Sequence, residues 1–287
     1  MQSSIPNFSK IFQVSFFDFI KVQFQAIGLL ISFIIYIIFY LITQNAGVET
    51  IAGQITNAIG SILVALVLLL TASGVSRMIK ADLLNESPIS SREAIDFVKQ
   101  NLLSIIIAPI LLTLFAALVL GIEALLSLIG FIPVLGPLVL AIFTIPAVIV
   151  NVVLAIILIV GSKLIPSIIA VEETGIIDTI KLAYRTCKDE PLKVAFCAGM
   201  LTIVGIGIFI LPVLVYISGL LLTTAFHWSI LSNCLNTIFY NWGIMMFIFF
   251  FITGTSVLVM TSLVIALPLT YFQGMYTYIY LSFKNKF

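Results

Sequence analysis

The adjacent carboxylates Glu172 and Glu173 are the first place in the chain where residue type and spacing could do chemistry, since paired acids can divide general-acid and general-base work. Intramembrane proteases of the prenyl-protein type carry such a pair, with an Arg four positions on and later histidines. Here that position holds Ile177, and His227 is the sole histidine. Neither a metalloprotease nor a multi-histidine acyltransfer site can be assembled from these residues. No Asp falls within an apolar run, no Gly-x-Ser-Gly occurs, and no Gly-x-x-x-x-Gly-Lys-Ser/Thr phosphate loop is present. The expectation is a protein that is not an enzyme, with no catalytic, cofactor-binding or metal-binding residues and no cofactor.

Isolated polar groups remain. Asn151 lies mid-way along an apolar run, where an unpaired amide is costly. Two readings fit it: an interhelical hydrogen bond, worth about 0.6 kcal/mol on average, or a contact to a solute. The same choice applies to Thr253, Thr255, Ser256, Thr261 and Ser262, which serve equally as helix-packing groups or as pore lining. Glu123, near the outer end of its run, reads as a solvated interfacial carboxylate in preference to a buried proton relay. Pro146, Pro212 and Pro268 imply kinks whose freed carbonyls neighbouring helices can satisfy.

The elements that must position these residues follow from composition. With 62% hydrophobic and 9% charged residues and a mean hydropathy of +1.27, the 287-residue chain is too apolar for a soluble domain, where roughly a quarter of residues would be charged. Its apolar stretches run continuously, without the alternation of barrel strands, so the expected fold is all-α and polytopic. The first run has no small-residue cleavage site after it and is expected to act as its own insertion signal.

All thirteen Lys and Arg fall into four groups: Lys10 and Lys21; Arg77, Lys80, Arg92 and Lys99; Lys163, Lys181, Arg185, Lys188 and Lys193; and Lys284 and Lys286. The gaps between them hold 55, 63 and 90 residues, long enough for two crossings each at about twenty residues per span. Six spans are expected, near 22 to 43, 53 to 76, 102 to 122, 138 to 162, 194 to 217 and 244 to 267. The Lys/Arg bias then puts both termini in the cytoplasm of a bacterial inner membrane. On this topology the inner face carries +3 and the outer face, with Glu49 and Glu123, carries −2. That balance suits anionic headgroups at about 1 kcal/mol per nearby cation and gives no footprint for nucleic acid. Cys187, Cys197 and Cys234 lie at three depths, so no disulfide joins them.

Residues 130 to 137, with two glycines and two prolines, predict a tight outer turn. Residues 223 to 243 exceed what two spans need. As a helix they would align Trp228, Leu231, Leu235, Ile238 and Trp242 on one stripe, fitting an uncharged helix on the outer leaflet. A gap-free internal match pairs residues 8 to 29 with 180 to 201: Phe12 with Tyr184, Asp18 with Glu190, Lys21 with Lys193, Val22 with Val194, Phe24 with Phe196 and Ala26 with Ala198. A weaker third copy spans Ser90 to Ile110. The single domain of residues 1 to 287 thus reads as three units, about 7 to 76, 90 to 163 and 175 to 283, each a surface helix leading into a hairpin.

The second surface helix opens on Ser90-Ser91-Arg92-Glu93, a capping box, with Ala94, Phe97 and Val98 on its apolar face. The third runs from Gly175 to about Asp189. It sets Ile176, Ile180, Ala183, Tyr184 and Cys187 against Asp178, Lys181, Arg185 and Lys188, and its cations predict contact with anionic headgroups or a membrane partner.

The stretch Leu164-Ile165-Pro166-Ser167-Ile168-Ile169-Ala170-Val171-Glu172-Glu173-Thr174-Gly175, followed by amphipathic Ile177 to Arg185, is similar to a family of six-span bacterial inner-membrane proteins without assigned activity. It also resembles the related membrane domain fused to some glycerophosphodiester phosphodiesterases. The closing Pro268 to Lys284 stretch resembles that family's last span. Cys187 and Tyr184 depart from its pattern, and no phosphodiesterase domain is present. The resemblance implies a six-helix bundle with cytoplasmic surface helices, and no functional residues carry over. Two functions stay open on sequence alone: a non-enzymatic membrane protein acting through lipid or partner contacts, or a transporter or channel for a neutral or amphiphilic solute.

Overall fold

Apolar runs with few breakers satisfy every backbone donor and acceptor internally only as helices, and helices account for nearly all of what is observed. The computed structural model describes residues 18–128, 135–189, 191–238 and 243–284, with side chains left undescribed at 135–141, 145, 208, 211–212, 220 and 222–250. Its helices are α1 (Phe19–Ala46), α2 (Ile51–Leu83), α3 (Ser91–Gln100), α4 (Leu102–Ser127), α5 (Leu135–Ile156), a π-helical turn (Ile157–Gly161), α6 (Ser162–Glu172), α7 (Ile176–Asp189), α8 (Pro191–Ile238) and α9 (Gly243–Lys284). No strand occurs among the described residues. Among the described residues five stretches are long and apolar enough to cross a membrane: Phe19–Ala46, Ile51–Leu83, Leu102–Ser127, Ile142–Glu172 and Phe251–Lys284. A sixth is added if α7 and the start of α8, bent by 95° at their junction, count as one.

Several helices outrun their expected spans. At 1.5 Å per residue the 48 residues of α8 extend about 72 Å, more than twice the hydrocarbon thickness of about 30 Å. Helical hydrogen bonding continues past the membrane boundary unless a breaker stops it, and α8 runs on from the span expected at 194 to 217 into the segment expected as a separate helix from 223. The Trp228 to Trp242 stripe, His227 and Cys234 lie outside the described side chains. Lys10, Lys286 and the turn at 130–134 lie outside the described residues. Gly136 and Pro137 sit in the first turn of α5, where a missing N–H breaks no bond.

By compactness the chain divides into two units, residues 15–68 with 202–272, and residues 69–201 with 273–287 plus the N-terminal segment. In the first, Asp18 caps α1 by accepting from the Ile20 N–H at 3.0 Å and pairs with Lys21 at 2.7 Å. Gly47 at φ 84° closes α1, and the Thr50 hydroxyl accepts from the Gly53 N–H at 3.0 Å to start α2. The hairpin is close-packed: a Cβ at Gly60 would stand 2.6 Å from Phe39 Cβ. Val22, Ala26, Leu29 and Ala266 form the buried core of this unit.

In the second unit the capping box is realised as expected. Ser90 Oγ accepts from the Glu93 N–H at 3.3 Å, and Glu93 Oε2 accepts from the Ser90 N–H at 2.8 Å. Ala94 and Phe97 are buried. Helix α7 folds back along α6 and packs on α4, with Tyr184 edge-on to Phe115 and the Cys187 Sγ close to Gly161. Its buried residues are Thr179, Ala183, Thr186 and Cys187, so two threonines take places the apolar pattern gave to Ile176 and Ile180. Each threonine donates to the carbonyl four residues back, at 3.0 and 2.8 Å, and so enters the interior satisfied. Burial pushes the Cys187 thiol up to about 12, leaving it protonated and a poor nucleophile.

Candidate functional site

The second unit gathers its charges where α2, α6 and α9 end. Helix α6 stops because Glu173 takes the left-handed conformation, φ 53°, and its N–H bonds to Ile169 O at 2.9 Å. That geometry leaves the last carbonyls of α6 facing α2. Arg77 meets them: its Nη1 donates to Ala170 O at 3.0 Å and lies 2.5 Å from Glu173 Oε1. The guanidinium also stacks 5.2 Å from the Phe97 ring, and a cation at a helix C-terminus opposes the negative end of the dipole.

On the other side of the turn, Glu172 Oε1 accepts from the Tyr280 hydroxyl and from Lys284 Nζ, both at 2.8 Å. Beneath these charges runs a polar seam. The Ser167 and Thr277 hydroxyls lie 3.1 Å apart, and Ser76 donates to Gln273 Oε1 at 3.3 Å. On α9 the participants Gln273, Thr277, Tyr280 and Lys284 recur at spacings of four, three and four, one face of a helix.

A cleft of about 430 Å³ opens beside this corner, lined among others by Arg77, Glu86, Glu93, Asp96, Phe97 and Glu173. Its acids already have partners: Glu93 in the capping box, Glu173 on Arg77, Glu86 near Lys80 at 3.9 Å and Asp96 near Lys99 at 3.7 Å. The Glu172-Glu173 pair is therefore divided between two cations on different helices and serves as a structural joint. Arg77, Tyr280 and Lys284 carry this corner, yet sequence reading singled out none of them for it. The available signal was the recurrence of charge after the second, fourth and sixth apolar runs.

The remaining sequence candidates fall elsewhere. Lys181, Arg185 and Lys188 line the exposed edge of α7, where Lys181 and Arg185 reach Asp178 and Asp189 at 3.5 Å and Lys188 sits 5.5 Å from the Tyr184 ring. Thr255, Ser256, Thr261 and Ser262 each donate to the carbonyl four residues back at 2.7 to 2.8 Å. Thr261 also meets the Tyr216 hydroxyl at 2.6 Å. Hydroxyls satisfied within their own helix need no water-filled lumen. Asn151 and Glu123, considered separately in the sequence, are brought together: Asn151 Nδ2 donates to Glu123 Oε2 at 2.8 Å.

Long apolar helices, internally bonded hydroxyls and charges collected at helix ends define an integral membrane protein of the all-α polytopic class. No family model, curated protein or solved structure matches this chain.

Proposed function

We propose that the chain is a non-enzymatic, six-span protein of a bacterial inner membrane whose cytoplasmic face binds anionic lipid headgroups through α7. One observation carries the reading. The inner side of α7 is used up on α4, α6 and the π turn, so what it offers outward is Lys181, Arg185 and Lys188. Their intrahelical ion pairs are exposed, each worth only about 0 to 1 kcal/mol, and compete weakly with a phosphate. At about 1 kcal/mol per cation near an anionic surface, reversing all three to Glu is expected to reduce the anionic lipid retained by the purified protein at least tenfold. Native mass spectrometry after extraction from mixed-lipid vesicles reads this ratio, and an unchanged ratio removes the proposal.

The topology draws support from the charged corner. Arg77, Glu172, Glu173 and Lys284 follow the second, fourth and sixth apolar runs and touch one another, as an even number of crossings between them requires. A phosphatase or fluorescent reporter fused after Lys286 should give the cytoplasmic signal; activity on the outer side would overturn the assignment.

The kinship with the six-span inner-membrane family and the repeated architecture belong to the same proposal. Helices α1 and α8 start at Phe19 and Pro191, positions that the internal match pairs, and buried Val22, Ala26 and Leu29 correspond to buried Val194, Ala198 and Leu201. The transporter reading retains one supporting observation, the contact between Glu123 and Asn151.

A further inference from the structure

Glu123 is the one charged residue of the helix from Leu102 to Ser127, and among the described residues no cation pairs with it. On α7, packed along α4, Tyr184 lies edge-on to Phe115, about two turns before Glu123, and Lys188 lies over the Tyr184 ring. Asn151 supplies one hydrogen bond to Oε2. The other end of that amide, Oδ1, is buried with no hydrogen-bond partner. Turning the amide over does not help, since it would set Oδ1 against the carboxylate.

A negative charge and an orphan acceptor therefore stand side by side. Two bonds separate Nδ2 from Oδ1, which keeps the unpartnered oxygen within the span of one coordinated ion of the carboxylate. Hard oxygen donors of this kind suit a small cation, and an ionisable group in an apolar helix is a functional position by default. Position favours access: Glu123 lies one turn from the end of α4, and the same antiparallel register that joins it to Asn151 brings Leu112 to Gly161.

The geometry points to Glu123 and Asn151 as a binding site for one small monovalent cation, a sodium ion. The ion would neutralise the carboxylate and be coordinated by Asn151 Oδ1. Ligand that binds only the folded state stabilises it by mass action.

The full chain, reconstituted in zwitterionic vesicles, is unfolded thermally as sodium replaces N-methylglucamine at constant ionic strength and constant pH. The expected result is a rise of a few degrees in Tm across roughly a hundredfold increase in sodium. Glu123→Gln keeps an acceptor for Asn151 Nδ2 and should fold, with the response abolished. Asn151→Asp, which adds a second carboxylate, should move it to lower sodium concentration. A wild-type Tm that does not respond to sodium, or responds equally in Glu123→Gln, overturns the inference.

Discussion

Arg77→Ala is expected to destabilise the detergent-solubilised protein by about 2–4 kcal/mol, the sum of a charge-assisted hydrogen bond, a cation–π contact and an exposed ion pair. The three contributions are separable. Glu173 is half exposed, so Glu173→Gln removes the ion pair alone and should cost under about 1 kcal/mol. The guanidinium bond to Ala170 O is a different matter. It satisfies a carbonyl that α6 cannot satisfy itself, and Arg77 is only 21% exposed at its side chain. Arg77→Lys keeps the charge without the planar fork and should fall between the two. Thermal or denaturant unfolding of the three variants decides it. If Glu173→Gln costs as much as Arg77→Ala, the ion pair dominates and the capping account fails.

Gly60→Ala should cost about 1–3 kcal/mol, the usual range for forcing atoms into a packed interior. An added Cβ would stand 2.6 Å from Phe39 Cβ and 2.8 Å from its Cγ. Phe39 Cβ is fixed to its backbone and cannot swing aside, so α1 and α2 must part. Membrane helices have little hydrophobic drive to re-close such a gap, and close backbone approach over small residues is much of what holds them together. Gly121→Ala is the control, because nothing lies within 4 Å of the added atom there and alanine is the better helix former. Equal Tm losses in the two variants would refute close approach at Gly60.

The parts of this fold that were legible in the sequence are those decided within a few residues. Ser90 and Glu93 announced the start of α3 because both halves of a capping box sit three positions apart. The bounds of α7 followed from a periodic pattern between Gly175 and Asp189, and the all-α architecture from unbroken apolar runs. What was not legible depends on distant pairing. Glu172 and Glu173 were noticed as a pair, but nothing local says that one would meet Arg77 and the other Tyr280 and Lys284. Glu123 and Asn151 were each judged alone, and only the register of two helices joins them. Helix lengths failed for another reason: spans were measured against bilayer thickness, whereas α2, α8 and α9 end where backbone hydrogen bonding ends. The buried threonines of α7 were missed because apolar periodicity ignores a hydroxyl's ability to bond its own helix.

The π turn at Ile157–Gly161 makes chain length an angular setting. A π turn accommodates one more residue than the α-helix would, and each α-helical residue is worth about 100° of rotation. Winding the same five residues as regular α-helix would turn all of α6 by about that angle relative to α5. Ser167 would swing off Thr277, Glu172 off Tyr280, and Ala170 O off Arg77 together. A chain one residue shorter here would keep those contacts by closing the turn to regular α-helix, so the extra residue and the π geometry come and go together.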